Sequence, residues 1–247
     1  MTAWRGFEAE LAAWGGEGRV ATLWWRDDDA VAATPALDRL LAITAEIPLM
    51  LAVIPRPLEP SLSPRLEGTA AFVVQHGFAH VNHRPVGQKA CEIGLDRPQE
   101  IVEAELSAGR AILEDAFGPR FKPWLVPPWN RIDPELAKRL PDLGYAGLSC
   151  FEPRRDPFRV NAHVDPIAWK AGRRFIGPEK TLARLTEHLA ARRAGVVDAA
   201  EPTGFLTHHL VHEPALWDFL GDLAETVSGC SCARWVDPTQ GRKEPTV

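Results

Sequence analysis

Three adjacent carboxylates, Asp27, Asp28 and Asp29, follow one bulky apolar run, and two histidines, His76 and His80, follow another. Neighbouring aspartates repel each other and are costly to hold together unless solvent, an arginine or a cation compensates. One anionic oxygen and two neutral imidazole nitrogens form a mixed ligand set for a divalent ion and leave positions open for water and substrate. Asp28, His76 and His80 are therefore the candidate metal ligands. Zinc suits the set, with related first-row metals as alternatives. Asp27, next door, would accept a proton from water activated by the ion. The competing readings are a solvated acidic turn and a pair of hydrogen-bonded or solvent-facing histidines, since His-x-x-x-His is common on helices. Gly77 and the β-like run before it favour a strand-to-turn transition at which both imidazoles converge.

The elements that must position these residues alternate in type. Trp4, Phe7, Leu11 and Trp14 are spaced as on an amphipathic lid helix. A strand is expected over residues 20–25, stopping at Arg26, where the acids begin. Helices are expected from Pro35 to Ile43, Pro98 to Phe117, Pro134 to Leu143, Pro178 to Arg193 and Pro214 to Val227. Between them, apolar runs predict strands over residues 48–54, 71–75, 121–126, 145–150, 204–210 and 233–236, with Glu152 to Arg174 as an irregular active-site loop. Alternating β/α order with no linker or internal repeat predicts one domain over residues 1–247, residues 1–18 forming an N-terminal helical extension. In β/α barrels the loops after the strands gather on one face. Asp28, His76, the Pro127-Pro128-Trp129 corner and His208 all fall at or just after predicted strand ends.

Composition narrows the partners. With 45% hydrophobic and 25% charged residues the chain can bury a large core. A formal net charge of −5 and the absence of a basic tail argue against nucleic acid. No run is long enough to span a bilayer and the first residues lack the form of a secretory signal, so cytoplasmic residence with no membrane partner is the expectation. Cys91, Cys150, Cys230 and Cys232 lack CxxC spacing, which disfavours a structural zinc knuckle; Cys230 and Cys232 are expected to be two nearby surface thiols.

Together these segments resemble the polysaccharide deacetylases, the NodB-homology group of carbohydrate esterase family 4. Trp25-Arg26-Asp27-Asp28-Asp29 looks like the aspartate-pair motif, with a third aspartate where glycine is usual. His76-Gly77-Phe78-Ala79-His80 matches the second motif. The resemblance implies a distorted, seven-stranded (β/α) barrel, with Asp27 as base and Asp28, His76 and His80 on one divalent ion, Zn2+. The third motif is similar to Leu125-Val126-Pro127-Pro128-Trp129, but Val126 or Leu125 stands where an arginine is sought. Arg26 or Arg131 would replace that tether to Asp27, and Trp129 would wall the pocket and offer its backbone N–H to an oxyanion. Asp165 and Trp169 resemble the fourth motif, and Leu206-Thr207-His208 the fifth. By this likeness Leu206 and Trp169 border the acyl group, and Asp165 stabilises a protonated His208 that acts as acid. His209 and His212 are read as loop supports, and His83 as a loop-organising or substrate-contacting residue.

The implied reaction is hydrolytic removal of an acyl group, N-acetyl first, from an amidated sugar or small amide. Trp24, Phe78, Trp129 and Trp169 are candidate sugar platforms, although such residues more often pack cores. Another C–N hydrolase on the same barrel is the nearest alternative. An inactive carbohydrate- or metabolite-binding domain is the second, motivated by the missing arginine and the extra aspartate.

Overall fold

Four of the described α-helices begin on a proline, whose fixed φ and missing N–H suit the first helical position. These are α2 (Pro35–Ile43), α5 (Pro134–Arg139), α6 (Pro178–Arg193) and α7 (Pro214–Ser228). Thr34 and Asp133 cap α2 and α5 by accepting from Leu37 N and Glu135 N. The remaining helices are α1 (Thr2–Gly16), α3 (Leu62–Arg65) and α4 (Gln99–Phe117), the last ended by Gly118 at φ 51°. The structure, a computed structural model, describes residues 2–151, 153, 154 and 156–240. Met1, Glu152, at which the irregular region was expected to begin, Arg155 within it, and 241–247 lie outside the described residues.

The strands are β1 (Ala21–Ala30), β2 (Leu49–Val53), β3 (Phe72–His76), β4 (Phe121–Val126), β5 (Gly147–Leu148), β6 (Ile167–Ala168), β7 (Arg174–Phe175), β8 (Thr203–Thr207) and β9 (Ala233–Trp235). Seven form one parallel sheet in the order β5-β4-β3-β2-β1-β8, with β9 pairing the first residues of β1. The antiparallel β6–β7 pair lies in the stretch expected to be irregular. The sheet is curled and open, a distorted half-barrel with helices on its outer face. No described helix is long and apolar enough to cross a membrane.

Alternation along the strands sorts the core into two sides. Leu23, Trp25, Leu49, Leu51, Val53, Val73 and Phe205 pack against the helices, while Trp24, Met50, Ala52, Val74, Trp124 and Val126 fill the inside of the curl. Trp24 is thus core rather than a sugar platform. Helix α1 is built into the outer layer: Phe7, Leu11 and Trp14 are buried in the main core, each such burial stabilising by about 1.5–3 kcal/mol. Its Glu10, and Glu17 just beyond its end, pair with Arg193 of α6. All four cysteines are free thiols.

Strand β1 does not stop at Arg26. It runs on through all three aspartates to Ala30, and its pairing with β2 slips between Asp27↔Leu51 and Ala30↔Val53. Three steps on β1 match two on β2, so one extra residue is accommodated as a bulge, which re-aims the side chains around it.

Candidate active site

The bulge separates the three carboxylates. Asp27 continues the alternation of Leu23 and Trp25 towards the helices, and is fully buried. Its oxygens accept from Thr207 Oγ1 (2.6 Å), His209 N (3.0 Å) and His209 Nδ1 (2.5 Å). Trp25 Nε1 in turn donates to Thr207 Oγ1 at 2.8 Å. Burial opposes the charge on Asp27, but His209 outweighs it and holds the carboxyl below its ordinary range; burial likewise opposes the His209 imidazolium, and Asp27 raises it. With no exposed surface and this set of internal donors, Asp27 is not where a water-facing base would sit.

Asp28 shares its face with Arg26. Arg26 Nη2 donates to Asp28 Oδ2 at 3.1 Å, and Nε lies 2.9 Å from Oδ1 as a close ion pair without hydrogen-bond geometry. The same guanidinium donates to Asn130 Oδ1 (2.6 Å), Ser149 Oγ (2.8 Å) and the carbonyls of Ser149 and Cys150. A buried arginine is tolerable only when it is paired and hydrogen-bonded; here Nη1 and Nη2 are both bonded, and the ion pair to Asp28 fixes that carboxylate in place. His208 Nε2 stands 3.9 Å from Asp28 Oδ2.

Asp29 is the carboxylate that meets the histidines. Its φ of 73° turns it out of the strand, and its Oδ1 lies 3.0 Å from His76 Nε2 and 3.3 Å from His80 Nε2. The sequence pattern pointed to Asp28 for this place; the bulge shifts it by one residue. Asp29, His76 and His80 are the cluster of potential metal ligands among the described residues, their ligand atoms all within 4.8 Å of one another. His76 closes β3, and its Nδ1 donates to Val126 O at 2.9 Å. A carbonyl only accepts, so that bond leaves Nε2 with its lone pair towards Asp29. Two acceptors at 3.0 Å, with His80 adding a third, call for a cation between them. In the bare protein a proton serves: burial would lower His76, but Asp28 and Asp29 raise it, while the Asp29 carboxyl is held well below the usual range against its burial, chiefly by His76. His80 is lowered by burial and by His76. A divalent ion would take the proton's place and release it.

The loop joining the two histidines is organised by Glu92, which no sequence pattern singles out. This buried carboxylate accepts from Phe78 N, Ala79 N and Val81 N at 3.0, 2.8 and 3.3 Å. Gly77 makes the close approach possible: its φ is 59°, and a Cβ there would lie 2.0 Å from Glu92 Oε2 and 2.6 Å from the Pro128 ring. The left-handed conformation alone costs a non-glycine residue about 1–2 kcal/mol. Gly77→Ala is expected to lower divalent-metal affinity roughly 10- to 100-fold, as loss of a ligand's outer support typically does. Metal content after dialysis against graded chelator checks it; unchanged retention would mean that the loop yields without moving His80.

The remaining candidates take the following places. Trp129, at φ 55°, lies over His80 with ring centroids 4.5 Å apart. Of the five described non-glycine residues with positive φ, four (Asp29, His80, Trp129 and Asn130) are at this site, which marks it as the strained part of the backbone. Trp169 is edge-on to His208 at 4.6 Å and donates from Nε1 to Asp165 Oδ2 at 2.7 Å. Asp165 also accepts from Ile167 N; burial raises its carboxyl, and His208 is among the groups that offset this. His208 Nδ1 is buried without a described hydrogen bond, so the expected Asp165–His208 contact is electrostatic rather than a bond. Leu206 is buried opposite Arg26 in the β1–β8 register. Arg131 donates to Ala90 O instead of reaching an aspartate, so of the two candidate arginines it is Arg26 that tethers one. His212 Nε2 accepts from His208 N, and burial carries its pKa down to about 4. His83 is exposed and outside the metal-ligand cluster.

This fold, with the candidate Asp-His-His site at the ends of its strands, is that of the polysaccharide deacetylases. A putative polysaccharide deacetylase from Mycobacterium smegmatis superposes with a TM-score of 0.63 at 14% identity, covering 93% of this chain and 94% of the other. A family 4 carbohydrate esterase from Streptomyces lividans, in complex with acetate, gives 0.58 at 15% identity, over 92% and 98% of the two chains. A peptidoglycan deacetylase from Bacillus subtilis gives 0.54 at 16%, over 88% and 87%. No protein-family model and no curated protein sequence matches the chain.

Proposed function

We propose that this chain is a metal-dependent amide hydrolase that removes an acyl group, acetyl in the first instance, from an amidated sugar or other small N-acylated compound. The observation that carries the reading is the single Asp29 oxygen facing two imidazole nitrogens, with a second carboxylate, Asp28, pinned alongside by its ion pair and hydrogen bond with Arg26. Asp29, His76 and His80 would hold the ion, and one oxygen with two nitrogens suits Zn2+. Such an ion supplies Lewis acidity, polarising the acyl carbonyl and lowering the pKa of water. Asp28 receives the proton of the attacking water, and Arg26 keeps it oriented. His208, whose Nε2 lies 3.9 Å from Asp28 Oδ2, gives a proton to the departing amine, with Asp165 and Trp169 beside its ring. Trp129 walls the pocket beside His80, and Leu206 lines it.

Arg26 here meets the need that the missing third-motif arginine left open, which weakens the case for an inactive binding domain. The deciding experiment is acetate release from a panel of N-acetylated amines by protein that is zinc-loaded, chelated and then reloaded. Release that is lost on chelation and restored by zinc is expected. Opening of cyclic amides with no acetate from any member would move the assignment to another C–N hydrolase, and no turnover at all would return it to a binding domain.

A further inference from the structure

Beside the candidate active site lies a second cavity of about 430 Å3, within the roughly 300–1,000 Å3 range of small-molecule pockets. Four cationic side chains line it, Arg84, Lys89, Arg131 and Arg159, and no described acidic residue does. Arg84 pairs with Asp96 and Arg159 with Asp156. Arg131 spends one donor on the neutral carbonyl of Ala90, and no described carboxylate pairs with it. Lys89 is exposed and has no described hydrogen bond or ion pair. Positive charge is therefore in local excess in a chain whose formal net charge is −5.

The cavity also shares a wall with the candidate site. Asn130 and Cys150 line it, and both accept from Arg26, the tether of Asp28. Trp129, next to Asn130 in the chain, lies over His80. A substrate whose acyl group lies at Asp28 and Asp29 can thus extend past Trp129 towards guanidinium forks suited to phosphate or carboxylate oxygens.

We infer that this cavity binds an anionic group, phosphate or carboxylate, carried by the N-acylated substrate itself; the inference rests on the amide-hydrolase reading of the neighbouring site. It is tested by titrating the full chain, with and without zinc, with N-acetylglucosamine 6-phosphate, N-acetylglucosamine and inorganic phosphate. The phosphorylated compound is expected to bind at least about 10-fold more tightly than the neutral one, the size of one charge-assisted hydrogen bond. The advantage should persist without zinc, shrink as salt is raised, and be competed by inorganic phosphate. Lys89→Glu and Arg131→Gln should each remove most of it, and Lys89→Glu should leave the unfolding temperature unchanged. Equal affinities, or an advantage that both variants retain, would overturn the inference. So would an advantage that vanishes without zinc, which would put the anion on the metal. Inorganic phosphate binding with no preference between the two sugars would assign the cavity to a free anion instead. Failure of the hydrolase reading would be visible separately, as absence of acetate from every compound with the binding preference intact.

Discussion

Asp29→Asn is expected to strip the protein of its divalent ion. The substitution replaces the one anionic oxygen that faces both His76 Nε2 and His80 Nε2 with a neutral amide, leaving two imidazoles to hold the charge. The affinity loss should exceed the roughly 10- to 100-fold typical of removing an outer partner, because a ligand itself is lost. Elemental analysis of the purified variant and a zinc titration in competition with a chelator give the number. The fold should survive, since Asp29 is only half-buried and released from strand geometry. If D29N retains stoichiometric zinc while D28N loses it, the bulge has been misread and Asp28 is the ligand.

Asp28→Asn should behave in the opposite way, keeping zinc and losing turnover by roughly 100- to 10,000-fold, the usual worth of general-base assistance. An amide at this position can still accept from Arg26 but cannot take the proton of water. Turnover must be compared at matched metal occupancy, on whichever N-acetylated compound the panel identifies. Asp27→Asn is the necessary control. It removes the charge opposite a buried His209, and breaking a buried pair costs on the order of 3–5 kcal/mol, so its mark should be a lowered unfolding temperature. A D28N enzyme with full activity, or a D27N enzyme of normal stability but no activity, would hand the role of base to Asp27.

Most of the framework was legible because its signals are local. Pro35, Pro134, Pro178 and Pro214 mark helix starts by stereochemistry alone, and α6 and β4 run between the residues that the pattern indicates. His76 and His80 were legible for a related reason: a β run ending in His-Gly leaves few places for the imidazoles to go. The assignment among the three aspartates was not legible. A charge after apolar residues resembles a strand end, and the continuation of β1 depends on its neighbours β2 and β8, far away in sequence. Period-two alternation, carried past Trp25, would have placed Arg26 and Asp28 on one face and Asp27 on the other. The bulge that turns Asp29 towards the histidines has no local signature. Glu92 was hidden too, because its partners are backbone N–H groups, which every sequence supplies.

The carbonyl of Val126 receives both the ring N–H of His76 and the amide N–H of Gly77. The tautomer of one proposed ligand and the start of the loop carrying the other therefore depend on a single oxygen of the main chain. No side-chain replacement at position 126 can delete that oxygen, so the site is insulated from mutation where its support matters most. Its vulnerability lies one and two residues downstream, in Pro127 and Pro128, whose rings set the direction in which the strand leaves the sheet.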